Sequence, residues 1–153
     1  MNSLSVFNDI HIGAIRSAGT TPTTQLELRE SLIAQFKALL ASAPEDSDVM
    51  LLGDLFDTLN IPLQDLFKTY KILDEWLTTY PARTLYNVLG NHDMSKSSNV
   101  TASFTLLGWL LSVHKNYKHI DKPCDTPWGY VIPHIRNQDL FDVELSRVPK
   151  TRV

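Results

Sequence analysis

The sequence predicts an α/β domain built on a largely parallel sheet. Three observations carry that prediction. Apolar runs of strand length alternate with two long amphipathic stretches. The run Val49-Met50-Leu51-Leu52 shows no inside-outside alternation, as expected of a strand covered on both faces. Each of the first three apolar runs also ends abruptly in a polar cluster. Strand, helix and strand at these spacings require crossover connections, and crossovers make neighbouring strands parallel. A chain of 153 residues, 43% of them hydrophobic, is one ordinary domain with enough apolar material for a core.

In chain order, Leu4 to Phe7 reads as a short strand running into Asn8-Asp9-Ile10-His11. Gly13 to Thr24, with Arg16, Gly19 and Pro22, reads as a polar loop of the kind that serves substrate or solvent. From about Gln25 to Ala43, Leu32, Ile33, Phe36, Leu39, Leu40 and Ala43 recur at helical spacing, with Arg29, Glu30 and Lys37 opposite. Pro44 and Glu45-Asp46-Ser47-Asp48 break that helix before the buried strand, which ends in Gly53-Asp54-Leu55-Phe56-Asp57. Asn60 and Pro62 mark a second helix carrying Leu63, Leu66, Phe67, Tyr70, Leu73 and Leu77, closed by Pro81. Arg83 to Leu89 supplies the next strand and ends in Gly90-Asn91-His92-Asp93. Thr101 to Val113 predicts a third helix whose Phe104, Leu106, Leu107, Trp109, Leu110 and Leu111 imply burial on more than one side. Tyr117 to Ile120 and Tyr130 to Ile132 read as short strands separated by the turn-rich segment from Asp121 to Pro127. Asp139 to Val148 reads as a weaker helix.

Composition narrows the function. The start of the chain lacks a basic, apolar leader, and the longest apolar run, near Leu106 to Val113, is too short to span a bilayer. The expectation is a soluble, cytoplasmic protein without a membrane partner. A single cysteine, Cys124, excludes an internal disulfide framework and argues against a thiolate zinc cluster. The net charge of −3, with no long run of Lys or Arg, weighs mildly against a polyanion partner. Bound divalent cations would reverse the local potential wherever a phosphate has to sit.

All three polar clusters fall at predicted strand carboxyl ends, where ligand sites of parallel sheets lie. Taken singly, each has a plain reading: Asp9 and Asp54 as capping or turn residues, Gly90 and Asn91 as a tight turn tolerant of positive φ. Taken in this order, each directly after a strand, they supply metal-ligand types to one crevice. Asp9 and His11, two residues apart, can reach one cation, Asp54 can bridge it to a second, and Asn91 can offer the second an amide oxygen. His92 beside it can face a substrate. Mixed oxygen and nitrogen donors suit Mn²⁺, Fe²⁺, Zn²⁺ or Mg²⁺. Two such ions about 3.5–4 Å apart clamp a phosphate for in-line attack.

Asp9-Ile10-His11, Gly53-Asp54-Leu55-Phe56-Asp57 and Gly90-Asn91-His92-Asp93 resemble, in order, the first three signature blocks of the calcineurin-like metallophosphoesterases. The resemblance spans about residues 4 to 95 and implies a layered αββα sandwich. It implies that Asp9 and His11 hold the first ion, Asp54 bridges and Asn91 holds the second. His92 would contact the scissile phosphate and protonate the leaving oxygen, with Asp57 and Asp93 as supporting carboxylates.

Within the family, Phe7-Asn8-Asp9-Ile10-His11-Ile12-Gly13, Leu52 to Asp57 and Tyr130-Val131-Ile132-Pro133-His134 are similar to the SbcD/Mre-type DNA nuclease subunits, including short bacterial and phage-encoded relatives. That similarity implies Mn²⁺, exo- or endonucleolytic cleavage in DNA repair, and an SbcC-like coiled-coil ATPase as partner. A homodimer is a further expectation. The alternatives are a phosphomonoesterase, a cyclic-nucleotide phosphodiesterase or a phosphoprotein phosphatase of the same fold, or a truncated, non-catalytic binding module. The sequence departs from the family in having no Gly-His-x-His. Of the remaining histidines, His114 and His119 read as surface or structural, and His134, following a strand, is the candidate extra ligand. The chain is accordingly read as a single domain over residues 1–153, the N-terminal part of a longer sandwich.

Overall fold

Every strand of the main sheet after the first is reached through a helix. The computed structural model describes residues 3–15, 21–94 and 101–148. Arg16 and Gly19 of the polar loop, and Pro149 to Val153, lie outside the described residues. The order is β1 (Ser3–Phe7), α1 (Pro22–Ser42), β2 (Ser47–Leu52), α2 (Leu63–Thr79), β3 (Leu85–Val88), α3 (Ser103–Leu111), β4 (Tyr117–Ile120), β5 (Cys124–Thr126), β6 (Gly129–Val131) and α4 (Gln138–Ser146). Strands β1 to β4 pair in sequence order and all in parallel. Their registers, Phe7 opposite Leu51, Leu52 opposite Val88 and Val88 opposite Ile120, bring the carboxyl ends to one edge of the sheet. The predicted α/β class with a parallel sheet is what forms.

Alternation along the strands divides the core in two. Val49, Leu51, Leu85 and Tyr117 face the helices and pack with Phe36 and Leu40 of α1, Leu73 and Leu77 of α2, and Phe104, Leu107 and Leu111 of α3. Met50, Tyr86, Val88 and Ile120 face the other way, beneath Cys124, Trp128 and Val131 of the antiparallel hairpin β5–β6. Trp128 Nε1 anchors that hairpin by donating to Asp48 Oδ2 at 3.0 Å. No helix among the described residues is long and apolar enough to cross a membrane.

Several boundaries differ from the sequence reading, each for a local reason. Helix α1 begins at Pro22, because Thr21 Oγ1 accepts from Thr24 N at 3.3 Å and proline suits the first turn. The segment read as a turn-rich separator contains β5, whose partner β6 supplies hydrogen bonds that no local pattern reveals. Helix α3 buries Phe104, Leu107 and Leu111 but leaves Trp109 63% and Leu110 43% exposed. Its predicted burial on more than one side is therefore incorrect: α3 packs on the outside of the layer and has neighbours on one face.

Helix α2 ends where Asn116 Nδ2 reaches the carbonyls of Leu77, Tyr80 and Arg83 at 3.0–3.1 Å, the first of them a last-turn carbonyl that the helix itself leaves without a donor. At its other end, buried Asp65 pairs with Arg29 of α1 through contacts of 2.5 and 3.0 Å, which locks the two helices together. A buried pair broken on one side typically costs about 3–5 kcal/mol.

Gly108, mid-helix in α3, lies against the ring of His119. Helix propensity alone favours Ala there by about 1 kcal/mol. An added Cβ would sit 2.9 Å from His119 Cγ and closer still to the neighbouring ring atoms. Gly108→Ala is therefore expected to lower stability by about 1–3 kcal/mol, the cost of overpacking, and denaturant unfolding reads the sign.

His119 stacks 4.4 Å from Phe104, and its Nδ1 lies 3.5 Å from the Tyr117 hydroxyl, which accepts from Asn87 Nδ2 at 3.1 Å. Burial lowers its pKa below the ordinary 6.5, against a smaller opposing effect of Asp121. The folded state thus favours the neutral ring. Its contribution is complete above the unfolded pKa of about 6.5 and is lost as the pH falls through the lower folded value. Unfolding midpoints compared at pH 7 and pH 5 should fall less for His119→Phe than for the native chain.

Candidate metal centre

Strands β1 and β2 stay paired only as far as Phe7 and Leu51. Beyond them the two segments part and rejoin where Ile12 bridges Phe56. There His11 N donates to Asp54 O at 3.0 Å, Ile12 N to Leu55 O at 2.9 Å and Asp57 N to Ile12 O at 3.0 Å. The backbones of Asp9 (φ 52°), His11 (φ 53°) and Asp54 (φ 49°) are left-handed within this gap. They are the non-glycine residues of positive φ among the described residues, and each such residue costs on the order of 1–3 kcal/mol. Strain gathered at three neighbouring polar residues makes this gap the candidate site.

The consequence is convergence. One donor atom from each of Asp9, His11 and Asp54 lies within 4.8 Å of the others. Asp9 Oδ2 is steadied by Asn8 Nδ2 at 2.8 Å. Asp54, 8% exposed, accepts His92 N on Oδ1 at 3.0 Å and keeps further lone pairs for a cation. Asp9, Asp54, Asn91 and His134 line one open cavity of about 260 Å³. The loop that carries His134 is pinned there by His134 N donating to Leu89 O at 3.0 Å.

A second set, His11, Asp57 and His92, also lies within 4.8 Å. Its character is different. Asp57 is buried and does not line the cavity. His92 Nδ1 is 2.6 Å from the Asp57 carbonyl oxygen, which can only accept, so Nδ1 carries a proton and Nε2 is left for other contacts. His11 Nδ1 is buried 3.3 Å from Asp57 Oδ1, without hydrogen-bond geometry. Asp57 thus lies beside both imidazoles, and its carbonyl oxygen orients the ring of His92. The rings themselves meet edge to face at 5.0 Å.

Asp93 joins the loops beneath. It is 2% exposed, and its two oxygens accept Phe56 N at 3.3 Å and Gly90 N at 3.0 Å. Burial pushes its carboxyl up to about 6, partly opposed by those backbone donors.

Gly90 has a different role from the one a tight turn suggests. The positive-φ glycines among the described residues are Gly13, Gly53 and Gly129, so Gly90 is not there for left-handed freedom. It is there for space: an added Cβ would lie 2.9 Å from Asp54 Cα and closer to Asp54 N and Oδ1. Gly90→Ala is expected to cost about 1–3 kcal/mol of stability. It should also shrink the rise in Tm that divalent cations produce, because the added methyl displaces Asp54. An undiminished metal-induced rise would show that the loops can spread.

Two carboxylates and an imidazole facing one another, with an amide oxygen nearby, form the mixed donor set of hard and borderline divalent cations. Left without a cation, the carboxylates would repel. The residues therefore fit a metal. The family model for calcineurin-like phosphoesterases matches residues 4–148. The chain belongs to the calcineurin-like phosphoesterase family. It is a metal-dependent phosphoesterase, a hydrolase acting on ester bonds. No curated protein matches the chain.

In this calcineurin-like phosphoesterase, Asp9, His11, Asp54, Asn91 and His92 come together at the strand ends, with Asp57 and Asp93 beneath them. His134 lines the cavity but is not in either close cluster. His114 lies elsewhere, its Nε2 2.7 Å from Asp74 Oδ1, and His119 is packed under α3. Sequence reasoning missed Asn8 as the support of Asp9, although adjacency was a signal. It also missed the close approach of Gly90 to Asp54, for which one sequence holds no signal.

Proposed function

We propose that this phosphoesterase hydrolyses phosphodiester bonds of DNA at a pair of divalent cations, Mn²⁺ being the first choice. The observation that carries the reading is the meeting of Asp9, His11 and Asp54 within 4.8 Å, at a cavity that Asp9 and Asp54 line together with Asn91. Asp9 and His11 would hold the first ion, Asp54 would bridge, Asn91 would hold the second, and His134 is the extra donor on the same cavity. When bound, such ions supply Lewis-acid charge and lower the pKa of water to near neutrality.

The protein's own groups do the rest. The Asp57 carbonyl fixes the proton of His92 on Nδ1, so that in the protonated ring Nε2 donates its proton to the leaving oxygen as the bond from phosphorus breaks. Asp54 Oδ1 holds the His92 backbone, and Asp93 ties the two loops, so the acid and the ligands move as one unit. The open form of the crevice favours a polymer that lies across it. The nuclease-like wording of Phe7 to Gly13 and Leu52 to Asp57 supports the same choice. Further parts of the proposal are a coiled-coil ATPase of the SbcC kind as partner and self-association as a homodimer.

The test is hydrolysis of linear DNA, an aryl phosphodiester and an aryl phosphomonoester with Mn²⁺, with and without chelator. Chelator-sensitive cleavage of DNA and diester is the expected result. Faster turnover of the monoester would move the reading to a phosphomonoesterase or phosphoprotein phosphatase. DNA binding without stoichiometric metal by elemental analysis would make the chain a non-catalytic binding module.

A further inference from the structure

The cavity beside Asp54 and a second one of about 210 Å³ beyond Met94 have one lack in common. The first is lined by Asp9 and Asp54, the second by Asp93 and Asp121, and among the described residues neither is lined by a Lys or Arg. A polynucleotide crossing them brings a charge at every phosphate, and the ions can answer only those at the scissile position. A fixed cation next to it would answer the neighbouring phosphate.

Arg136 is tied to the backbone just after the His92 loop. The segment between β6 and α4 is pinned twice to the site: His134 N donates to Leu89 O at the end of β3, and Arg136 Nη2 donates to Met94 O at 3.2 Å, across 42 residues of sequence. Met94 follows His92 by two residues, so their Cα atoms are at most about 7 Å apart. Arg136 is exposed, and that carbonyl is its hydrogen-bond partner among the described residues. A guanidinium has five N–H donors in a rigid fork, so one bond to Met94 aims the group and leaves the others for phosphate oxygens. The tether gives the side chain a defined position at little further entropic cost on binding.

We propose that Arg136 is a specificity-determining residue that grips the phosphate next to the scissile one and so selects polynucleotides over small phosphate esters. This rests on the nuclease reading above and deepens it. A hydrogen bond to a charged group corresponds to roughly tenfold or more in binding, and one phosphate contact on a single strand contributes about 0.7 to the salt slope.

The experiment compares native chain, Arg136→Ala, Arg136→Lys and Arg136→Gln on a single-stranded oligonucleotide and on bis(4-nitrophenyl) phosphate, with Mn²⁺ at several salt concentrations. Arg136→Ala is expected to lower kcat/KM for the oligonucleotide about tenfold more than for the aryl diester, chiefly through KM. The slope of log KM against log salt should lessen by about 0.7. Fluorescence anisotropy of the labelled oligonucleotide with Ca²⁺ in place of Mn²⁺ should show the same loss of affinity and salt dependence. Arg136→Lys keeps the charge and should keep the salt slope. Arg136→Gln keeps a donor for Met94 O but no charge, and should behave like Ala. If Gln instead behaves like the native chain, or if both substrates suffer equally, Arg136 only tethers the loop and the proposal is overturned. A native chain that hydrolyses the aryl diester but leaves the oligonucleotide intact would overturn the nuclease reading itself, a result distinct from either.

Discussion

Asp54→Asn is expected to bring Mn²⁺-dependent phosphodiester hydrolysis down to background, a loss of at least about 10³-fold. Losing one preorganised electrostatic partner typically costs about 10²–10³, and here the group proposed to serve both ions is removed. The substitution is nearly isosteric, and the amide oxygen can still accept His92 N, so the loops need not move. What changes is one negative charge and the arrival of an N–H₂ group where lone pairs faced Asp9 and His11. Turnover and bound metal, the latter by elemental analysis, should therefore fall together while Tm in the absence of metal changes little. Full-rate hydrolysis by this variant would remove the basis of the metal-centre reading.

His92→Gln should separate chemistry from metal binding. A positioned general acid is worth about 10²–10⁴, so kcat on DNA is expected to drop by that factor with the metal content unchanged. The leaving group supplies an internal control. The 3′ or 5′ oxygen of a nucleotide leaves as a poor, strongly basic alkoxide and needs the proton, whereas 4-nitrophenolate leaves readily without it. The loss on an aryl diester should be far smaller than on DNA. Equal losses on both would assign His92 a positioning role, through the bond from its backbone to Asp54 and its ring contact with Asp57.

Both variants touch residues that the order of amino acids alone makes legible. Asp9, His11, Asp54, Asn91 and His92 stand out because the three polar clusters that hold them each follow an apolar run, and a parallel sheet must bring its strand carboxyl ends to one edge. Asp57 and Asp93 can be named as supports because they lie within the same blocks. Their work cannot be described from the blocks: the backbone carbonyl of Asp57 that orients His92, and the two backbone donors shared by Asp93, depend on loops meeting in space. The outward face of α3 and the pairing of β5 with β6 escape a sequence reading for a related reason. Periodicity reports that apolar residues lie on one helix or strand, and says nothing of how many neighbours surround it.

By itself, the order of residues determined the parallel α/β class, the strand ends that carry the chemistry and the donor types offered to a divalent cation. These follow from local patterns: hydrophobic period, glycine and proline positions, and carboxylate and imidazole spacing. Only the tertiary structure decided that Asp9, His11 and Asp54 bend into left-handed backbone to face one another, that Gly90 is present to make room for Asp54, and that Arg136 reaches across to Met94. Each of those depends on a distance between segments far apart in the chain, and such distances are set by packing of the whole sheet and its helices, which no local pattern encodes.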